Sequence, residues 1–161
     1  MLMYMTNKYI IKNMRDIDKL VNAVLKSSGF KLKQNSWYKL TNDFIQIINF
    51  QKSYYSNLYY LNFGIDSKTE NDNFYKPIGQ FPVRWRIESV ISNADLILSL
   101  DFESDIPETE RLERLNTILK HCIDILNSIS CYNELTSALQ TPTHPIQKAA
   151  IWASFARYKN H

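Results

Sequence analysis

At 161 residues, with 45% hydrophobic and 22% charged side chains and only three glycines and five prolines, the chain has the proportions of a globular domain. Such proportions exclude a disordered or low-complexity class. No stretch approaches the ~20 apolar residues of a membrane span, and residues 1–14 hold no signal-peptide core, so a cytoplasmic protein with no membrane association is expected.

The net charge is +3, unevenly spread. Residues 1–60 carry nine basic and three acidic groups, residues 61–113 five and eleven, and the remainder five and two. This polarity favours oriented docking to a partner, with chance variation on a solvated surface as the alternative. Cys122 and Cys131 lie nine residues apart in a helical pattern, about 13 Å along a straight helix, too far to bridge each other. They read as reduced thiols.

In chain order, Ile10, Ile11, Met14, Ile17, Val21, Val24 and Leu25 recur at helical spacing and predict a helix from about Lys8 to Ser27, ended by Gly29. Phe30 to Leu40 then alternates around a Gln34-Asn35-Ser36 turn, a β-hairpin. Two longer strands follow, Asp43–Ser53 and Ser56–Ile65. Pairing residue 49 with 62 and 51 with 60 puts Ile48, Phe50, Leu61 and Phe63 on one face and Asn49, Gln51, Tyr60 and Asn62 on the other. The sheet then has one apolar and one polar face.

Residues 66–73 read as a mobile loop. Strands are expected at Val83–Ile87 and, after a Ser92-Asn93-Ala94 turn, at Leu96–Leu100. Asp105-Ile-Pro-Glu108 reads as a capping box opening a long helix through Leu112, Leu115, Ile118, Leu119, Cys122, Ile125, Leu126 and Ile129. Shorter helices are expected at Tyr132–Gln140 and Pro145–Tyr158, the last packing on the domain through Ile146, Ala149, Ala150, Ala153 and Phe155. A homodimer seam and contact of Trp152, Arg157 and Lys159 with a membrane surface are its alternative roles, and the oligomeric state stays open. The order is that of one α+β domain over residues 1–161: an antiparallel β-meander with helices on one face.

Ser28-Gly29-Phe30-Lys31-Leu32-Lys33 before Trp37-Tyr38, then Phe44-Ile45-Gln46-Ile47-Ile48-Asn49-Phe50-Gln51-Lys52-Ser53, Leu61-Asn62-Phe63-Gly64-Ile65 and Arg84-Trp85-Arg86-Ile87, stand in one order. With Ser130-Cys131-Tyr132-Asn133-Glu134-Leu135 they resemble the bacterial domain-of-unknown-function family numbered 4304, over roughly residues 7 to 140. The resemblance implies fold and bacterial origin, and no settled activity. The Tyr-rich hairpin and the acidic run before the long helix depart from the family pattern.

No P-loop, dinucleotide turn, nucleophile elbow, H-E-x-x-H or C-x-x-C is present. His121, His144 and His161 are the only histidines. His121 reads as a flank of helix packing, and Cys122 beside it points about 100° away. Asp101, Glu103 and Asp105 would present carboxylates to a divalent cation if extended, but read better as cap and helix-dipole partners. No catalytic residue, metal or cofactor is therefore assigned.

The candidate binding residues are Asn49, Gln51, Tyr60 and Asn62, with Arg84 and Arg86 on a later strand. Two guanidiniums beside amides and a phenol suit carboxylate, phosphate or a partner's acidic side chains. These groups could instead satisfy one another, or the arginines could pair with Glu88 and Asp66. The first functional reading is a non-enzymatic interaction protein with a protein partner, such as a toxin-neutralising (immunity-type) protein. A nucleic-acid module is the alternative, Trp37, Tyr59 or Tyr60 stacking bases while Lys31, Lys33 and Lys39 hold phosphates. An enzyme acting on a small anion ranks last.

Overall fold

The computed structural model describes residues 17–68 and 75–151. Helix α1 runs over 17–27; its expected start near Lys8 lies outside the described residues, and of the loop expected over 66–73, Asp66 and Ser67 are instead the end of a strand while 69–73 lie outside the described residues. Gly29 ends α1 with φ 88°, a left-handed conformation open to glycine. The Phe30 amide donates to Leu25 O and the Gly29 amide to Lys26 O, the Schellman pattern, with Leu25 and Phe30 both buried.

Six strands follow one another in the sheet in chain order, every neighbour antiparallel: β1 Lys31–Lys33, β2 Ser36–Leu40, β3 Phe44–Lys52, β4 Tyr59–Ser67, β5 Val83–Arg86 and β6 Ala150–Ile151. Asn49 pairs with Asn62 and Gln51 with Tyr60, the register the side-chain pattern predicts. Gly64 lets β5 approach, because a Cβ there would stand 2.6 Å from Val83 O.

The helices gather on one face, as expected. Ile48, Leu61, Phe63 and Trp85 meet Val21 and Leu25 of α1 and Leu115, Leu119, Cys122 and Leu126 of α3 (Glu108–Asn127) in the main core. Ile123 belongs to the buried stripe and Ile125 is only half-buried. Helix α4, Tyr132–Gln140, has the predicted limits. Both cysteines are free, and burial pushes the Cys122 thiol far up. No described helix is long and apolar enough to cross a membrane.

Five further expectations are corrected. The segment read as strand Leu96–Leu100 forms helix α2, Ala94–Leu98, because Asn93 Oδ1 accepts from the Asp95 and Leu96 amides and caps it. Pro107, not Asp105, occupies the cap position of α3: Pro107 is extended and its carbonyl takes the first helical bond, from the Arg111 amide. His121 is exposed on α3 rather than flanking its packing. The segment from Pro145 forms one 3-10 turn, Pro145–Lys148, then β6, because Ala149 is extended and the free edge of β5 takes up the chain. Ile146 is fully buried, so this segment does pack on the domain; residues 152–161 lie outside the described residues.

The fifth concerns the second sheet face, which is polar in one half only. Tyr38, Ile45, Ile47 and Phe81 form a smaller core there, joined by Tyr75 and Ile78. The segment 75–82, including a 3-10 turn at Ile78–Gln80, folds across that half. Tyr38 donates its phenol to Lys76 O and Lys76 pairs with Asp66, which holds the cover down.

Candidate binding surface

Residues directly opposed across paired strands share a face. The pairs Lys33–Ser36, Ser36–Asn49, Asn49–Asn62 and Asn62–Arg86 therefore join into one transverse row of polar side chains across β1 to β5. At ~4.8 Å per strand the row spans about 19 Å. Gln51 and Tyr60, also paired, form the next row toward the β3–β4 tip.

All six predicted residues lie on this face, but in different conditions. Asn49 Nδ2 donates to Ser36 Oγ at 2.9 Å and to Asn35 O at 3.3 Å, and Asn62 Nδ2 donates to Gln51 Oε1 at 3.3 Å. The floor is thus fixed: Ser36 and Asn62 are themselves buried, and Asn49, half-buried, and Gln51, exposed, are the amides that reach the surface. Arg86 is exposed, its guanidinium 4.4 Å from the centre of the Tyr60 ring. At the other end Lys33 Nζ lies 3.8 Å from the centre of the Tyr75 ring. A cation on an aromatic ring closes each end.

Arg84 belongs to the cover instead. Its Nη1 donates to Gly79 O at 2.5 Å and Phe81 O at 3.2 Å, so it holds the 75–82 segment and is not presented with Arg86. Asp66 pairs with Lys76 rather than with an arginine.

The residues named for nucleic-acid stacking and phosphate contact do not share a surface. Trp37 is buried on the helix-covered face, Nε1 donating to Asn22 Oδ1. Tyr59 stands edge-on to Phe102 with ring centres 5.0 Å apart, and Lys39 Nζ donates to Asn127 Oδ1 beside α3. Only Tyr60, Lys31 and Lys33 of that set reach the polar face.

The carboxylates of 101–105 are not extended toward one point. Asp101 Oδ1 accepts from the Glu103 amide, and Glu103 Oε1 accepts from the Asn57 amide. No cluster of three or more metal-ligating side chains occurs among the described residues. His144 Nδ1 accepts from the Ile146 amide and its Nε2 lies 3.0 Å from Ser128 Oγ, a capping role.

Two features escaped the sequence reading. Tyr54 and Tyr55, at the tip beyond Gln51 and Tyr60, are 94% and 99% exposed. Their backbone is pinned: the Tyr55 amide donates to Ser53 Oγ, the Ser53 amide to Leu58 O, and the Phe102 amide to Asn57 O. The anchoring loop is held in turn by Arg111, a buried guanidinium donating to Ser99 O, Asp101 O, Ser104 O and Ser104 Oγ. The doubled tyrosine was the signal for the tip; nothing local marks Arg111, which reads as one more charged helix residue.

No match was found among curated proteins or solved structures. A family model described as Domain of unknown function (DUF4304) matches residues 21–128, about two thirds of the chain, from the middle of α1 to the end of α3. That stretch holds every strand of the polar row, and the chain belongs to the DUF4304 family.

Proposed function

We propose that this chain is a non-enzymatic interaction domain that docks an acidic segment of a protein partner on the open half of its polar sheet face. The observation that carries this reading is the unbroken row Lys33–Ser36–Asn49–Asn62–Arg86, with exposed basic groups at its ends and a hydroxyl and two amides between, of which Ser36 and Asn62 form the buried floor. Guanidinium, ammonium and amide groups recognise carboxylates by charge-assisted hydrogen bonds. Tyr54 and Tyr55 extend the surface with the side-chain type most frequent at binding hot spots, on a backbone already ordered. A cytoplasmic toxin-neutralising role is the narrower form of the proposal, in which the partner is a toxin.

The test is affinity capture from the native host with the wild-type chain and with Tyr60→Ala/Arg86→Ala, followed by titration of the purified partner. The expected result is one partner whose contacting peptide is rich in Asp and Glu, bound at least tenfold more weakly by the variant and more weakly by both in high salt. Equal binding by variant and wild type, or RNA in place of protein, defeats the proposal. If the captured protein poisons the host and the chain relieves it, the narrower form holds.

A further inference from the structure

The tip between β3 and β4 carries Tyr54 and Tyr55 side by side, while the next most exposed large hydrophobic side chain among the described residues, Leu40, is 48% exposed. Neither phenol makes a hydrogen bond or a ring contact among the described residues. Two adjacent rings without a partner mark a contact site, as a lone exposed apolar side chain does not. The backbone beneath them is fixed from both sides. Within the tip the Ser53 amide donates to Leu58 O at 2.8 Å and the Tyr55 amide to Ser53 Oγ at 3.2 Å. Across to the 99–104 loop the Tyr59 amide donates to Leu100 O at 2.9 Å, the Phe102 amide to Asn57 O at 3.0 Å and the Asn57 amide to Glu103 Oε1 at 3.2 Å. A loop already ordered loses little freedom on binding, so little offsets the gain from burying the rings.

Side chains this exposed stand clear of their own protein. A flat partner covers one side of each ring, and only a concave one surrounds it. Two surrounded tyrosines bury roughly 300–500 Å², about half of the ~800 Å² that one side of a stable interface covers. The charges near the tip narrow the choice of partner. Lys52, two residues before Tyr54, and Arg86, on the Tyr60 ring, are exposed cations that suit an acidic rim. Glu103, bonded to the Asn57 amide, sets a carboxylate at the root of the tip and disfavours a nucleic-acid phosphate there. A second copy brought tip to tip would oppose two convex surfaces.

We infer that the tip is a two-tyrosine wedge that enters a concave, apolar pocket of the same protein partner, beside the acidic segment received by the polar row. The wedge rests on the docking proposal and adds a shape to the partner: a pocket that fits phenol rings, with carboxylates at its rim. Arg111 takes part at a distance, since its four donated hydrogen bonds hold the loop that anchors the tip.

The first measurement is made on the free chain by amide relaxation: order parameters of about 0.85 are expected from Ser53 to Leu58, and values under about 0.6 overturn the inference. The second titrates the protein captured by the wild-type chain against Tyr54→Ser/Tyr55→Ser, Tyr54→Phe/Tyr55→Phe and Tyr54→Trp/Tyr55→Trp. All three should keep the wild-type urea midpoint, since the rings they replace touch nothing. The serine pair should bind at least about thirtyfold more weakly, a loss that persists in high salt, where that of Arg86→Ala shrinks. The phenylalanine pair should stay within about fivefold of wild type, and the tryptophan pair should lose about fivefold or more, because a pocket fitted to a phenol excludes an indole. A tryptophan pair that binds like wild type indicates a flat contact, and a serine pair that does so indicates none. Either overturns the wedge and leaves the docking surface standing, which Tyr60→Ala/Arg86→Ala tests separately. Self-association of the chain through the tip, in place of partner binding, overturns it as well. If no protein is captured, or RNA takes its place, the docking proposal falls and the wedge with it.

Discussion

The guanidinium of Arg86 lies 4.4 Å from the centre of the Tyr60 ring, while Arg84, two residues earlier on the same strand and the same face, donates to two backbone carbonyls of the covering segment. Two arginines that look equivalent in sequence therefore do different things. Arg86→Ala should change stability by no more than about 0.5–1 kcal/mol, since exposed cation–aromatic contacts contribute little. Arg84→Ala should cost about 1–3 kcal/mol by freeing the 75–82 cover. Urea denaturation of the two variants checks the contrast, and equal losses would contradict it.

Arg111 is the buried charge of the fold. Arg111→Met removes four donated hydrogen bonds at once and takes from the Ser99 carbonyl the donor it has, while Asp101 O and Ser104 O keep those from Ser104 and Ile106, so a loss of about 3 kcal/mol is expected. Hydrogen exchange should show the Phe102 amide, bonded to Asn57 O, exchanging faster in the variant.

Gln46 is fully buried on the core face, its Nε2 donating to Leu126 O at 2.7 Å and Ile129 O at 3.3 Å, where α3 ends. Gln46→Glu places an acceptor where a donor stood. Burial and the two facing carbonyls raise the new carboxyl's pKa, so the variant should be destabilised by 3 kcal/mol or more, on the order of a buried unpaired charge, at pH 7.5. Part of that loss should be recovered at pH 5, where the protonated acid donates again; denaturation at the two pH values measures it.

His144 accepts the Ile146 amide at Nδ1, which requires the neutral ring, and burial lowers its pKa from the ordinary 6.5. A base with a depressed folded pKa stabilises the fold above its unfolded value, and that contribution is lost as pH falls from 6.5 through the folded pKa. Wild-type stability should therefore fall in this window by more than that of His144→Asn, which keeps a capping acceptor and cannot titrate. Parallel slopes for the two proteins would remove histidine from the account.

Gly64→Ala should cost about 2 kcal/mol or more, because the added methyl meets the Val83 carbonyl of the adjacent strand, and backbone cannot swing aside as a side chain can. Thermal unfolding measures the loss.

The central register was legible because Ile48, Phe50, Leu61 and Phe63 alternate with Asn49, Gln51, Tyr60 and Asn62, and parity then places all of them. Helix α2 was not, because Leu96 to Leu100 is a short apolar run that periodicity cannot assign, and the deciding signal was the side chain of Asn93 before it. The sharing of a face by Asn49, Gln51, Tyr60, Asn62, Arg84 and Arg86 could be read from alternation. The separation of Arg84 from Arg86 could not, because it depends on Phe81 and Ile78 folding back over Ile45 and Ile47, a tertiary event with no local period. The tight hold on residues 99–104 was equally hidden, since it rests on one arginine of a distant helix.

The strictly sequential strand order bears on how the chain assembles. From β1 to β4 each strand meets the one just made, through turns of a few residues, so this part of the sheet closes only short loops, each at small entropic cost. The distant meetings are those of α3 with β4 and of β6 with β5, which must wait for 40 or more residues of intervening chain. The slow part of folding should then be the landing of the long helix on a preformed hairpin, and substitutions at Leu119 or Leu126 should slow refolding more than substitutions of equal cost at Leu32 or Leu40 on the sheet's outer strands.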